Sequence, residues 1–257
     1  MNQLLEVMRQ WLEIPVAASA HAGEIDRMTV LTHWLMAFLF VGWGAFFVYT
    51  LIRFRQGANP KADYHGVKSH VASYIEWAVA GIEAVLIVAF AIPAWAARVD
   101  AFPAENEATV VRVVAEQFAW NAHYPGADGQ FGRTDIKLVS ADNPLGLDRS
   151  DPAAKDDFNS INQLALPVNK PVIIHLSSKD VIHSFSLIQM RVKQDTIPGE
   201  SIPVWFTPTM VGDWEVNCSQ LCGLGHYRMR GFYSIKSQAD YETWLKETAA
   251  SELGAAQ

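Results

Sequence analysis

Cysteine is scarce in this sequence, which has only two cysteines in 257 residues, Cys218 and Cys222. Two cysteines cannot build the disulfide framework of a small secreted domain. A single short disulfide or a metal site therefore remain the two open uses of the pair. The sequence also lacks internal repeats and low-complexity tracts, so neither a repeat architecture nor a biased tail is predicted.

Formally charged side chains are missing from residues 28–52, and residues 75–97 carry only two, Glu76 and Glu83. About 20 apolar residues in a helix cross the hydrocarbon core of a bilayer. Both stretches are long enough and rich in aromatic residues, so they predict two membrane spans. The alternative, a buried helical hairpin inside a soluble core, fits the length of these stretches less well.

The loop between the two spans, residues 53–74, is basic, with four Lys/Arg residues against one acid, Asp63. Basic loops stay in the cytoplasm, so both chain ends are predicted outside. The predicted organisation is an external segment 1–27, a transmembrane hairpin 28–99 with a cytoplasmic loop 53–74, and an external domain 100–257. Residues 18–22 resemble a signal-peptidase site, but the stretch before them makes a poor signal core. We favour an amphipathic or interfacial segment, with cleavage left open.

Acidic residues outnumber basic ones in the external part. From residue 100 onward there are 20 Asp/Glu and 13 Lys/Arg, which leaves about seven net negative charges. Such a surface attracts a basic soluble partner at low salt and argues weakly against nucleic acid. The simpler interpretation is that the charge only keeps the domain soluble.

The part after Pro103 reads as all-β. Short runs rich in β-branched residues alternate with turn residues, which predicts a sandwich or barrel. Residues 126–159 are polar and rich in Asp, and we expect a long insertion there. A helix from Asp240 to about Ala250 is predicted to close the chain. The predicted strands lie within residues 109–115, 171–177, 181–187, 201–206 and 231–236.

Four potential metal ligands lie close together near the C-terminus: Cys218, Cys222, His226 and Met229. Thiolates, imidazoles and thioethers together favour copper, and a one-copper blue site needs only one cysteine. A second cysteine allows both sulfurs to bridge two metals. A disulfide would not explain the histidine and methionine, and zinc would leave the methionine without a role. Both alternatives remain open at this point.

A two-metal site needs another imidazole from elsewhere in the chain. His183 lies 35 residues before Cys218, between apolar residues of a predicted strand. A lone histidine on such a strand is more often a core residue than a ligand. The downstream ligand cluster reverses that expectation.

These residues resemble subunit II of the haem–copper cytochrome c oxidases. The family pattern Cys-Ser-Glu-x-Cys-Gly-x-x-His-x-x-Met differs from residues 218–229 at one specified position, Gln220. The resemblance covers nearly the whole chain and implies a transmembrane hairpin followed by a cupredoxin domain, a Greek-key β-barrel. It implies a binuclear copper centre, CuA, with the following ligands: His183, Cys218, the Gln220 backbone carbonyl, Cys222, His226 and Met229.

The resemblance also implies a function and partners. Such a subunit receives electrons from cytochrome c or another c-type haem donor. It passes them to haem in subunit I, where oxygen is reduced and protons are pumped. Subunit III and the lipid of a bacterial inner membrane are the other expected partners, with the copper domain on the periplasmic side. The sequence contains no Cys-x-x-Cys-His, so a haem donor would be a separate chain.

Three further sites depend on the resemblance. Gln220 replaces a family glutamate that helps to hold magnesium at the interface with subunit I, and the loss of that charge weakens the case for magnesium. Phe118 aligns with the family tryptophan that accepts the electron, so Trp120 is the alternative acceptor, although both residues could simply pack the barrel. Glu76 loosely resembles a glutamate at the mouth of a proton channel.

Two other functions remain as alternatives. A quinol oxidase subunit II keeps the fold but lacks the copper ligands, all of which are present here. Copper chaperones that use Cys-x-x-x-Cys have a thioredoxin-like fold. The clustered His226 and Met229, together with the β pattern, are not typical of them.

Overall fold

The computed structural model describes residues 2–61, 64–66 and 68–255. The chain divides into two compact units. The first contains the residues up to Ile14 together with Glu24–Ala101, and the second contains Pro15–Gly23 together with the chain from Phe102 onward. A short N-terminal stretch therefore belongs to the same unit as the C-terminal domain.

The first unit opens with a short amphipathic helix, α1 (Asn2–Trp11). Leu4, Val7 and Trp11 follow helical spacing and are exposed, so they form an apolar stripe along the helix. This pattern agrees with the predicted amphipathic segment. Its placement at a membrane interface stays a prediction.

Two long apolar helices follow. Helix α2 (Ala22–Arg53) is continuous, whereas the second consists of α3 (Val71–Leu86), a π-helical turn and α4 (Ile92–Val99). Pro93 lies in the first turn of α4, where its missing N–H and its ring are accommodated by the wider preceding turn. The widened turn explains why this helix is not a single regular α-helix.

Both helices are long and apolar enough to cross a membrane by length and composition. Their most apolar 18-residue windows are 0% buried, unlike the core helix of a soluble protein, so a lipid environment suits them. The segment between them carries the predicted cytoplasmic loop. Residues 62, 63 and 67 of that loop lie outside the described residues.

The second unit is a sandwich of two five-stranded sheets followed by helix α5 (Gln238–Ala255). The strands are β1 (Thr109–Glu116), β2 (Ala119–Tyr124), β3 (Phe158–Ile161), β4 (Gln163–Pro167), β5 (Val172–Ser178), β6 (His183–Leu187), β7 (Val192–Thr196), β8 (Ile202–Phe206), β9 (Gly212–Cys218) and β10 (Arg230–Lys236). One sheet has the order β3-β2-β1-β5-β8 and the other has the order β4-β10-β9-β6-β7.

The prediction of two apolar helices followed by an all-β domain is confirmed. The strands form two distinct sheets, so the domain is better described as a sandwich than as a closed barrel. The inward residues of β1 show why: Val111, Val113 and Ala115 are buried, while the residues between them are half-buried. This alternation is typical of a strand with one face on an apolar core.

The N-terminal stretch of the second unit packs against the sandwich. The Ala18 N–H donates to the Gln189 carbonyl, and the Thr209 N–H donates to the Ala18 carbonyl, at 2.9 and 2.8 Å. The Ser19 hydroxyl donates to the Met190 carbonyl at 2.7 Å. Ala18 is fully buried. The sequence that resembles a signal-peptidase site therefore lies inside the folded domain as a strap, residues 15–22.

The last two residues of the predicted insertion belong to β3; up to Asp157 it contains only short 3₁₀ turns and one isolated bridge, between Thr134 and Leu147. Its aspartates accept hydrogen bonds from nearby backbone N–H groups; Asp156, for example, accepts from Ala127 and Asp128. Because Asp side chains stabilise turns in this way, the Asp-rich composition gives an ordered loop without regular elements.

Candidate metal centre

Two neighbouring strands, β6 and β9, bring His183 and Cys218 together. Strand β6 pairs antiparallel with β9, and Phe185 lies opposite Cys218. His183 is two residues from Phe185 along β6, so its side chain projects from the same face of the sheet. The 35-residue separation in sequence thus becomes a short distance across one strand pair.

The loop from 219 to 229 brings in the remaining ligands. It joins β9 to β10, which pair antiparallel, so Cys218 and Met229 stand at the two ends of one hairpin. The Cys218 N–H donates to the Met229 carbonyl at 3.4 Å. A 3₁₀ turn, His226–Arg228, closes the loop just before Met229. The loop therefore folds back over its own ends.

The donor atoms converge. One ligand atom from each of His183, Cys218 and Cys222 lies within 4.8 Å of the others. The two sulfurs are 3.7 Å apart, and Met229 Sδ lies 3.7 Å from Cys222 Sγ. His226 Nδ1 lies 3.6 Å from Cys222 Sγ. The structure thus brings together all five predicted side-chain ligands in one partly buried cluster.

The second nitrogen of His183 is held by a carboxylate. Nε2 lies 2.9 Å from Asp180 Oδ1, and Nδ1 faces Met229 Sδ at 3.1 Å. A proton on Nε2, needed for the bond to Asp180, leaves the Nδ1 lone pair pointing into the cluster. Because the Nδ1 lone pair and the Met229 sulfur both donate electrons, this arrangement suits a metal ion bound by both atoms better than a direct contact between them.

Charge in this pocket shifts several pKa values. Burial lowers the pKa of His183, but hydrogen bonds to Cys218 and Asp180 outweigh burial, so that the pKa is raised. Burial opposes ionisation of Asp180, yet its bonds to His183 and to two backbone N–H groups leave its pKa lowered. The carboxylate therefore stays ionised beside the imidazole.

The two thiols differ in the ease with which they ionise. Burial raises the pKa of Cys218, but its bonds to His183 and to backbone groups outweigh this effect and lower it to about 6. Burial and the neighbouring Cys218 raise the pKa of Cys222 to about 12. Two adjacent thiolates repel each other, so a bound cation is what would allow both to be ionised at neutral pH.

Gln117, in the β1–β2 turn, connects the two halves of the site. Its side-chain amide donates to the Cys222 carbonyl at 2.7 Å, and its backbone N–H donates to Asp180 Oδ2 at 2.7 Å. The loop that carries Cys222 and the carboxylate that holds His183 are thereby attached to the same turn. Sequence reasoning assigned no role to Gln117 or Asp180.

Glycines let Phe118 lie close under the loop. A Cβ on Gly225 would lie 2.5 Å from the Phe118 ring, and one on Gly223 would lie 2.5 Å from the Gln117 side-chain nitrogen. Gly223 also has φ +124°, which other residues rarely adopt. The close approach of the loop to this turn therefore depends on both glycines.

The predicted electron acceptors occupy different environments. Trp120 is 3% exposed, and its ring centroid lies 6.2 Å from that of His183. Phe118 is half-buried against the loop. The large apolar side chains that the loop exposes are Leu221, Leu224 and Tyr227. Trp120 is thus close to the cluster but does not form part of the protein surface.

Gln220 and Glu76 complete the predicted residues. The Gln220 carbonyl lies 3.2 Å from Cys218 Sγ, so it points toward the cluster, and the Gln220 side-chain oxygen accepts from the Leu221 N–H at 3.1 Å. Glu76 is exposed on α3, in the first unit, so the donor cluster does not include it.

The donor set fits copper. It offers two thiols, a thioether and two imidazoles, and soft sulfur donors with imidazole select copper over hard cations. The carboxylates of a calcium or magnesium site are not among the clustered ligands of the described residues. The nearest acid, Asp180, instead binds the outer nitrogen of His183.

Comparison with known proteins bears on this assignment. A family model described as cytochrome c oxidase subunit II, periplasmic domain, matches residues 109–234. The alternative cytochrome c oxidase subunit 2 of Bradyrhizobium diazoefficiens is 31% identical over 245 residues, which cover 95% of this chain and 86% of that protein. The chain belongs to the cytochrome c oxidase subunit 2 family. The predicted resemblance is confirmed.

Two further similar proteins have lower identity to this chain than the Bradyrhizobium diazoefficiens protein has. The cytochrome c oxidase subunit 2 of Cereibacter sphaeroides is 26% identical over 237 residues, covering 84% of this chain and 75% of that protein. The crystal structure of the periplasmic domain of subunit II of the Bradyrhizobium japonicum cytochrome oxidase has a TM-score of 0.42 at 25% identity, covering 56% of this chain and 94% of that one. As a family member, the chain is a subunit of an oxidoreductase.

Sequence reasoning missed the residues that hold the ligands. Asp180 precedes His183 by three residues, and a carboxylate bonded to the outer nitrogen of a metal-binding histidine is a common arrangement. That spacing was the available signal. No comparable signal marks Gln117, because its contact with Cys222 spans 105 residues of sequence.

Proposed function

We propose that this chain is the electron-input subunit of a haem–copper terminal oxidase, with a binuclear copper centre in its β-sandwich. The observation that carries the proposal is the convergence of His183, Cys218 and Cys222 within 4.8 Å. His226 and Met229 lie against the same sulfurs, so the cluster offers more soft donors than a single copper needs.

In this proposal each side chain has one task. Cys218 and Cys222 would be shared by the two metals, His183 and His226 would hold one each through Nδ1, and Met229 would supply a thioether sulfur. The Gln220 carbonyl would be the remaining ligand. The bound copper pair supplies one-electron redox chemistry. Asp180 keeps the His183 ring oriented, and the apolar packing around Trp120 and Phe185 excludes water from one side of the site.

The donor and the acceptor are separate proteins in this proposal. A c-type cytochrome delivers electrons, and haem in subunit I receives them for oxygen reduction and proton pumping; subunit III is a further partner. Because Trp120 is buried, we assign it a role within the domain, and a docked donor would contact exposed neighbours. Phe118 is the second candidate on this path, and Glu76 keeps its proposed role in a proton path.

The proposed location is a bacterial inner membrane, with both chain ends and the sandwich on the periplasmic side. The apolar helices and the basic loop support this orientation. Magnesium is not part of the proposal, because Gln220 has an uncharged side chain whose oxygen accepts from its own loop.

Electron paramagnetic resonance with metal analysis on the purified full chain tests the copper centre. Two coppers that share one unpaired electron give a multi-line hyperfine pattern, and we expect two copper atoms per chain. One copper with an ordinary four-line signal would contradict the proposal.

Two variants test the ligand roles separately. Cys222→Ser removes a bridging sulfur, so the shared-electron spectrum should collapse. Met229→Leu keeps the side-chain volume and should cost less than about 1.5 kcal/mol in folding, so copper should stay bound with a changed potential. An unchanged spectrum in the first variant, or complete loss of copper in the second, would show that these assignments are wrong.

A further inference from the structure

One cleft of the second unit is lined by none of the proposed metal ligands and has a volume of about 820 Å³. It lies between the outer face of the β3-β2-β1-β5-β8 sheet and the insertion 126–159. Ile136, Val139 and Leu145 from the insertion line one side of it. Ile136 is 83% exposed, an unusual position for a large apolar side chain. The cleft therefore has an apolar wall.

The sheet side of the cleft is basic. His123, Arg112 and His175 occupy one row across β2, β1 and β5, because Arg112 is in register with both histidines. Arg112 and His175 face away from the sandwich core, as the alternating burial along β1 and β5 shows. Three nitrogen-bearing side chains thus lie side by side beneath the insertion.

Arg112 is the unusual member of this row. It is half-buried and stacks over the Phe131 ring at 4.1 Å, but its guanidinium donates no hydrogen bond within the described part of the chain. Burial lowers its pKa, while Asp157 and Glu105 oppose that effect. A partly desolvated guanidinium with free donors suits a planar oxyanion.

The other charged groups are already engaged. His123 Nε2 lies 2.6 Å from Asp157 Oδ2, which also accepts from the Gly132 N–H. Lys179 donates to Glu116 at 2.6 Å. His123 and Lys179 thus each have a close carboxylate partner, whereas His175 has only the exposed Glu105 at 3.4 Å and Arg112 has no hydrogen-bond partner among the described residues.

Glu105 shows which ligand chemistry the row accommodates. Its Oε1 lies 3.4 Å from His175 Nε2, and its side chain is 69% exposed on a 3₁₀ turn. A second cleft of about 540 Å³ contains Glu105, Arg112 and His175 together. An intramolecular carboxylate therefore already lies beside this pair, and it is exposed enough to move aside.

We propose that the cleft binds an organic carboxylate with an apolar body. Arg112 and His175 meet the carboxylate, and Ile136, Val139 and Leu145 cover the apolar part. Glu105 competes with the ligand for the same pair. The site uses no metal ligand, so it is independent of the proposed electron-input function and should bind equally well with and without copper.

The probe is 4-(trifluoromethyl)benzoate, followed by ¹⁹F nuclear magnetic resonance on the full chain in non-ionic detergent, with detergent alone as the blank. Arg112→Gln should weaken binding about tenfold or more, because a charge-assisted pair is lost. Glu105→Gln should strengthen binding, because it removes the competing carboxylate. Since misfolding does not raise affinity, this gain separates a binding role from a structural one.

Two controls complete the experiment. Arg230→Gln removes an exposed arginine on the other sheet, which is paired with Glu215, and should leave affinity unchanged. The neutral analogue 4-(trifluoromethyl)benzyl alcohol should bind at least about tenfold more weakly than the benzoate. Equal binding of the alcohol, unchanged affinity in Arg112→Gln, weaker binding in Glu105→Gln, or an equal loss in Arg230→Gln would each overturn the proposal.

Discussion

At the scale of single residues, the most informative contact is the one behind His183. Asp180 accepts from Nε2, and the same carboxylate accepts from the Gln117 N–H. One side chain therefore sets the tautomer of a ligand and also anchors the turn that holds the Cys222 carbonyl. Such outer partners of a ligand set both its orientation and its basicity.

Asp180→Asn tests this arrangement. The amide keeps the size but loses the negative charge, so we expect copper affinity to fall by about 10- to 100-fold and the reduction potential to rise, because the reduced centre gains relative stability. Spectroelectrochemistry and a competitive copper titration of the full chain measure the two effects. Asp213→Asn, whose carboxylate binds Ser234 at the surface, is the matched control. A potential equal to that of the unchanged protein would remove the role that we give Asp180.

At this scale, some residues of the site could be predicted from the sequence and others could not. Cys218, Cys222, His226 and Met229 follow one another at short spacing, so their chemistry could be read directly from the sequence. Gln117 could not be found in this way, because its partner becomes a neighbour only after the two sheets have packed. The burial of Trp120 was equally hidden, since an aromatic run does not show which ring faces the core.

At the scale of elements, the ligand loop depends on close packing against the β1–β2 turn. Gly225 sits directly on the Phe118 ring, where an added Cβ would come within 2.5 Å. The backbone at Gly225 needs no positive φ, so the ring alone excludes a side chain there. The loop and the turn therefore act as one packed pair, although over 100 residues separate them.

Gly225→Ala should lower the free energy of unfolding of this domain by about 1–3 kcal/mol, the usual cost of overpacking. Phe118→Leu in the same chain should recover part of that loss, because the smaller side chain leaves room for the methyl group. Differential scanning calorimetry of the single and double variants gives the coupling between the two sites. Strictly additive effects would mean that the ring is not what excludes a side chain at position 225.

The same scale explains which strands could be predicted. Strand β1 alternates between buried and half-buried residues, so its pattern was visible. Strand β2 is buried on both faces, from Trp120 to Tyr124, because insertion residues such as Phe131 and Asp157 cover its outer side. Its polar Asn121 and His123 therefore gave no strand pattern in the sequence. The strap 15–22 was missed for a related reason, since its small residues carry no strand pattern. Its hydrogen-bond partners, Gln189 before β7 and Thr207 and Thr209 after β8, lie far along the chain.

At the scale of the whole molecule, the distribution of charge should decide orientation. The loop 53–74 carries four basic residues against one acid, whereas the external part from residue 100 onward is acidic. Positive loops are retained in the cytoplasm, and long acidic domains are translocated with little regard to their charge. In the proposed topology, the two apolar helices both cross the membrane, so both chain ends lie on the same side.

Reporter fusions to the full chain check this orientation. Alkaline phosphatase, which is active only outside the cytoplasm, should be active when it is fused after residue 257, and green fluorescent protein inserted near residue 60 should be fluorescent.

Replacing Arg53, Arg55, Lys61 and Lys68 by Gln removes the basic residues of the loop. Phosphatase activity at the C-terminus should then fall several-fold, because the first helix loses its preferred direction. The matched control replaces the four acidic residues of α5 by their amides, at Asp240, Glu242, Glu247 and Glu252. It should leave the activity unchanged, since acidic residues contribute little to orientation. An inactive phosphatase fusion in the starting protein would reverse the proposed topology, and with it the side of the membrane on which a soluble donor could reach His183 and Cys218.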